Sequence, residues 1–242
     1  MNGVAAFIED LEEMSLSAKR EQSREAAEAR LALRRVAVIA LLAILLGFLM
    51  QGLILTAKLL TGATFPGILL LVDIAQGVTW SFLVCLGVGI GTSILKARAE
   101  LAGILAAVFA PFSLALAKSS QKVMATLVGA AEQPAILSLA TISTLRAVEY
   151  GILAWLLAKL TQRDVAPAAP YLGTGTGIGV FFGLPITWLT YHAAITNGAG
   201  LTTPQIATTL INEVVFPIGC SALIYIGQLV GRNLKVFTPT TA

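Results

Sequence analysis

The chain has 242 residues, of which 57% are hydrophobic and 12% charged. Soluble domains carry about a quarter charged residues, so a water-facing surface cannot be built here, and the mean hydropathy of +0.85 makes lipid the solvent for most of it. The net charge of +3 comes without a basic patch interleaved with aromatics, which excludes nucleic acid as an expected partner.

Residues 1–35 hold the densest charge. Phe7, Leu11 and Met14 recur at i, i+4, i+7 with Ile8 beside them, and Glu9, Asp10, Glu12 and Glu13 lie opposite. This pattern predicts an amphipathic cytoplasmic helix. From Ser17 to Arg35 there is no Gly or Pro, and Glu21–Arg24 and Arg24–Glu28 stand at pairing distance, so the helix should run on into the first apolar segment. The charged stretch is too long and too mixed in sign for a signal peptide. Residues 4–30 have the character of a helix that docks on another protein or lies on the bilayer.

Six apolar segments follow, at 36–57, 66–95, 100–117, 135–160, 171–196 and 205–231. Each is near or above the roughly 18–20 residues that cross hydrocarbon, the third being the shortest. The expected fold is therefore an all-α integral membrane protein. It has a six-helix transmembrane bundle over 36–231, an N-terminal amphipathic helix over 1–35 and a cytoplasmic tail over 232–242. Residues 118–134 read as an external interfacial loop or short amphipathic helix stopped by Pro134. The alternative makes 123–145 a span and 147–161 a further short one, giving seven crossings. Residues 162–170 read as a Pro/Ala linker.

Orientation follows from Lys and Arg. One side holds Lys19, Arg20, Arg24, Arg30, Arg34, Arg35, Lys96, Arg98, Lys159, Arg163, Arg232 and Lys235, and the other only Lys58, Lys118 and Lys122. Both termini are thus expected in the cytoplasm. The Ala- and Arg-rich style points to a bacterial inner membrane.

Membrane helices meet through small residues. Gly87 and Gly91, Gly173 and Gly177 of the GTGTGIG run, and Gly227 and Gly231 are expected to form a tight inner crossing of the second, fifth and sixth segments. A carbonyl-lined filter is the other reading of GTGTGIG, but no pore-helix pattern precedes it. Pro111, Pro185 and Pro217 are internal to segments and predict kinks, each freeing the carbonyl four residues earlier. At Pro217 that carbonyl belongs to Glu213.

Charge at bilayer depth costs at least about 2.5–3.5 kcal/mol per residue and marks paired structure or function. Lys58, Lys96, Glu100, Lys118 and Lys159 sit near segment ends and can snorkel, with Lys96 and Glu100 paired at i, i+4. Deeper lie Asp73, Glu213 and Arg146, at about 10, 13 and 16 Å from the outer boundary at 1.5 Å per residue, and Glu149 one turn beyond Arg146. Asp73, Gln76, Gly77, Trp80, Gly87 and Gly91 share one face, and so do Thr209, Glu213, Pro217, Cys220, Gly227 and Gly231.

Two readings fit. In one, Arg146 is glued to Glu149 and to Asp73 or Glu213, with one acid left over for a proton or a cation. In the other, Glu213, Asp73, Asn212, Arg146 and Glu149 form an ion or proton site in which the freed Glu213 carbonyl joins the carboxylates and the Asn212 amide. His192 is an interfacial histidine or a relay to that site.

The two cysteines, Cys85 and Cys220, lie in apolar runs without CxxC, so neither a metal site nor a cofactor is expected. No HExxH or GxSxG occurs, and an enzyme is not expected. The expected functions are a small channel or carrier for ions or small solutes, or a non-catalytic subunit or assembly factor of a larger membrane complex. Expected partners are the bilayer and other membrane chains, as a homo-oligomer or a hetero-complex.

Overall fold

The computed structural model describes the backbone of residues 2–94, 98–131, 136–198 and 200–236, and the side chains of residues 14–93, 98–131, 136–198 and 200–230. Among these residues every regular element is helical. They are α1 (Asn2–Leu60), α2 (Leu69–Ile94), α3 (Ala99–Leu127), α4 (Leu139–Gln162), α5 (Ala169–Thr196), α6 (Thr203–Leu210), a π-helical turn (Ile211–Val215) and α7 (Phe216–Val236). Helix α6, the π turn and α7 form one continuous rod.

Left-handed residues end four of the helices, Gly198 (φ +74°) doing so for α5. Gly62 (φ +92°) closes α1: its N–H bonds the Leu59 carbonyl, and the Ala63 N–H reaches back to Lys58 at 2.9 Å. Gly129 (φ +66°) closes α3 in the same way, with Ala130 bonded to Ala125. Asp164 (φ 49°) does so for α4, with Val165 bonded to Leu160. These are the reciprocal bonds that satisfy the orphan carbonyls of a helix end. Ser138 caps α4 by accepting the Thr141 N–H at 3.1 Å, and the Gln205 side chain accepts the Thr202 N–H at 2.8 Å ahead of α6.

The helix-ending role of Gly129 corrects the reading of residues 118–134. No breaker precedes it, so residues 118–127 continue α3 instead of forming a loop or a separate helix. The third segment is then 29 residues long, not the shortest. A span over 123–145 is ruled out by the non-helical stretch after Leu127. Pro134 lies outside the described residues, as does Lys96 of the expected Lys96–Glu100 pair.

Five stretches are long and apolar enough to cross a bilayer: Met14–Leu60, Leu69–Ser93, Ala99–Leu127, Ala169–Thr196 and Thr203–Val230. Helix α4, expected as the fourth span, is not among them, because Arg146 and Glu149 interrupt its middle. Helix α1 is 59 residues long, about 90 Å at 1.5 Å per residue, against a hydrocarbon core of about 30 Å. Side chains 14–30 are all exposed, Met14 at 68%, and packing begins near Arg35. The amphipathic pattern of Phe7, Ile8 and Leu11 lies outside the described side chains.

The core forms where α2 packs on α1 and α3, α3 on α4, and α5 and α1 on the sixth rod. Trp80, Tyr150 and Phe216 meet at its centre, with ring centroids 5.6–6.1 Å apart. Outside, Leu41, Leu45, Leu49, Phe112, Phe181 and Trp188 are exposed, as a lipid-facing surface requires. Buried polar bonds add links between helices: Ser81 Oγ donates to the Ala43 carbonyl at 2.7 Å, and Ser120 Oγ to Ala75 at 3.3 Å. Bonds of this kind contribute about 0.6 kcal/mol each.

Glycines set the close approaches, but not as one triple crossing. A Cβ on Gly87 would lie 2.7 Å from Phe109, and one on Gly91 3.1 Å from Ala102, so both face α3. Gly227 faces Ile39 of α1 at 2.8 Å. Gly173 and Gly177 meet nothing within 4 Å. The packed glycines are Gly175 and Gly179 of the run and Gly183 beyond it, whose virtual Cβ atoms run into the Pro217, Val214 and Glu213 carbonyls of the sixth rod. Period two places alternate glycines on different faces, and only one set meets a neighbour. The surroundings of Gly231 lie outside the described side chains. Helices α3 and α5 run uninterrupted through Pro111 and Pro185, and only Pro217 sits beside a change of helix type.

A Gly183→Leu variant is expected to lose about 1–3 kcal/mol to overpacking. Gly177→Ala should keep or gain up to about 1 kcal/mol from helix propensity. Thermal unfolding of the two variants in mild detergent checks the pair.

Candidate functional site

The site begins with an arginine that the apolar bundle must neutralise. Arg146 lies midway along α4 and is 6% exposed. Its Nη1 donates to Glu149 Oε2 at 3.2 Å, one turn along the same helix. Its Nη2 donates to Glu213 Oε1 of the π turn at 2.6 Å. The guanidinium carbon also sits 5.0 Å from the Trp80 ring centroid and 5.9 Å from that of Tyr150, within reach of a cation–π attraction. Burial makes such charge-assisted bonds strong and a missing partner costly.

Asp73 is not part of this cluster. It accepts from Lys58 Nζ at 2.9 Å, in a pair whose side chains keep 27% and 33% exposure. Lys58, taken from its position as a snorkelling residue, is therefore the counter-charge of Asp73. This reduces the imbalance of three acids against one arginine to two: Asp73 pairs with Lys58, and Glu149 and Glu213 both face Arg146. Four buried polar atoms at this point have no hydrogen-bond partner: Arg146 Nε, Glu149 Oε1, Glu213 Oε2 and Tyr150 Oη.

Between the two charge clusters lies a cavity of about 130 Å³, room for several waters or a small solute. Lys58 and Asp73 stand at its exposed end, and Arg146, Trp80 and Phe216 form its floor. Gln51, Gln76, Thr208 and Asn212 supply polar groups along the walls, with Gly77, Met50 and Ile54 beside them. Gly77 is small because the Gln51 amide lies over it. Gln51 and Thr208 are site residues that the sequence reading does not name, and Lys58 is read there only as a snorkelling lysine. Gln51 and Lys58 stand seven residues apart in an otherwise apolar helix, a helical spacing that marks one polar stripe.

The sixth rod lines the cavity with Thr208, Asn212 and Phe216, at i, i+4 and i+8, so the lining face runs beside Glu213 and Thr209 is not on it. The expected convergence of the Glu213 carbonyl with the carboxylates does not occur, since that carbonyl lies against Gly183 of α5. Asn212 does line the cavity. His192 does not; it is exposed and rests on Trp188 at 4.3 Å between ring centroids. Among the described residues no three His, Cys, Asp or Glu side chains gather as a metal site. Cys85 and Cys220 are free, buried and neighbours in the core.

Replacing Arg146 with Met should cost about 3–5 kcal/mol, because two buried acids lose their common partner. Replacing Lys58 with Met should cost less than about 1 kcal/mol, its pair being partly solvated. Unfolding in mixed micelles measures both. No family model, curated protein or solved structure matches the chain.

Proposed function

We propose that the chain is a membrane carrier or channel for ions or small polar solutes. The observation that carries this reading is the polar cavity leading from the Lys58–Asp73 pair to the buried Arg146 cluster. Ligand sites in membrane bundles commonly combine a polar cavity at depth with an interrupted helix. Here the π turn supplies the interruption and carries Glu213.

In this reading α4 is the fourth of six spans. Its low apolarity comes from Arg146 and Glu149, which are buried against Glu213 and never meet lipid. The face it turns outward carries Val148 and Ile152. Six crossings place both termini on one side, and the Lys and Arg bias makes that side cytoplasmic, in a bacterial inner membrane. Purified protein in proteoliposomes tests the function. A Glu213→Gln variant loses a charge-assisted bond of about 1.5–3 kcal/mol, and flux should fall roughly ten- to hundredfold. Unchanged flux with unchanged ion dependence would sink the reading.

A second reading, a subunit or assembly factor of a larger complex, is favoured by one observation. Side chains 14–30 of α1 project from the bundle without packing on it. Deleting residues 1–30 separates the two: a carrier keeps its flux, and a docking subunit loses its partner in a gentle-detergent pull-down.

A further inference from the structure

We propose that Glu149 and Glu213 together hold one exchangeable proton, shared across Arg146. The inference rests on the carrier reading and names the ligand of its buried site. Arg146 gives one Nη to each acid, and each acid keeps one buried oxygen with no partner, Oε1 of Glu149 and Oε2 of Glu213. Two carboxylates facing one guanidinium leave a net negative charge where charge is expensive. One proton removes it and turns one acceptor into an O–H donor.

The neighbours leave the balance to these three residues. Across the cavity, Lys58 of α1 and Asp73 of α2 cancel one another. Helix α5 meets the π turn with Gly179 and Gly183, which carry no charge. Tyr150 of α4 and Cys220 of α7 are the remaining titratable neighbours, with Cys85 of α2 in contact with Cys220. A metal cation fits the place poorly, since it would sit beside the guanidinium with two carboxylates and, among the described residues, no third anionic ligand.

The cavity gives the proton a route. Arg146 and Asn212 line it, and the Glu213 side chain just behind them keeps 8% exposure while that of Glu149 keeps none. Glu213 is thus the acid that loads: an O–H bond forms on its carboxylate as a hydronium ion in the cavity becomes water. Arg146 then holds Glu149, its partner on the same helix, and its hold on the π turn weakens.

Infrared difference spectra of the full-length protein in lipid vesicles test this, with pH steps in water and in deuterium oxide. A protonated-carboxyl band is expected that grows on acidification, shifts in deuterium oxide and is indifferent to replacing choline chloride by sodium chloride. Either Glu149→Gln or Glu213→Gln should abolish it, because one acid facing one arginine needs no proton; Asp73→Asn should leave it. Should the Gln variants fail to fold, the wild type alone decides, by uptake of a single proton per chain accompanying the band. Absence of the band, its survival in both Gln variants, or its suppression by sodium at fixed pH would overturn the proposal. Dye-reported proton flux into vesicles separates it from the carrier reading. Proton flux without the band overturns the shared proton and keeps the carrier; the band without proton flux sustains the shared proton, and absence of all solute flux from wild-type protein in the proteoliposome assay overturns the carrier.

Discussion

A guanidinium inside a lipid-facing bundle must bring its counter-charges with it, and the arrangement of the inner helices follows from how Arg146 does so. Its own helix supplies Glu149 at i+3. The second acid, Glu213, comes from a rod 67 residues further along the chain, so the pair ties α4 to the sixth rod. That rod can approach because α5 offers Gly175, Gly179 and Gly183 to its backbone. Trp80, Tyr150 and Phe216 close the space around the guanidinium with aromatic rings. The charge cluster and the glycine face therefore work as one device: the glycines let the rod in, and the ion pair sets where along α4 it stops.

The π turn is the point where that device is least regular. Pro217 supplies no N–H to the preceding turn, and the five residues Ile211–Val215 widen to i→i+5 bonding. Glu213 stands at the middle of the widened turn, aimed at Arg146, while its carbonyl rests on Gly183. Side chain and backbone of one residue thus engage two different helices. Any change in the Arg146–Glu213 bond acts on a segment whose carbonyls pack directly on the backbone of α5 at Gly179 and Gly183.

Much of this was legible in the sequence. The all-helical apolar class, the continuity of α1 and the pairing of Arg146 with Glu149 follow from hydropathy, the absence of Gly and Pro, and helical spacing. Other features depend on information that spacing does not carry. Lys58 reads as an end-of-helix lysine, and only the turn through Gly62 and Gly67 brings Asp73 to it. In GTGTGIG either parity of glycines is consistent with a helix, since the residues between them are equally compatible with lipid. The π turn over Ile211–Val215 is invisible too, because a proline removes the same donor from an α or a π turn. The length of α3 was misjudged because Lys118, Ser119, Ser120 and Gln121 look like a loop by polarity, yet none of them breaks a helix.

The account turns on the cavity being an aqueous recess that enters the membrane from the Lys58 side. Cysteine accessibility measures this directly, against a low background because native Cys85 and Cys220 are buried. Asn212→Cys and Gln76→Cys, in sealed vesicles of known orientation, should react with a membrane-impermeant thiol reagent from the external face only, while Leu223→Cys, deep in the core, stays silent. Failure of both cavity positions to react from either face, or reaction from the cytoplasmic face alone, would contradict the account.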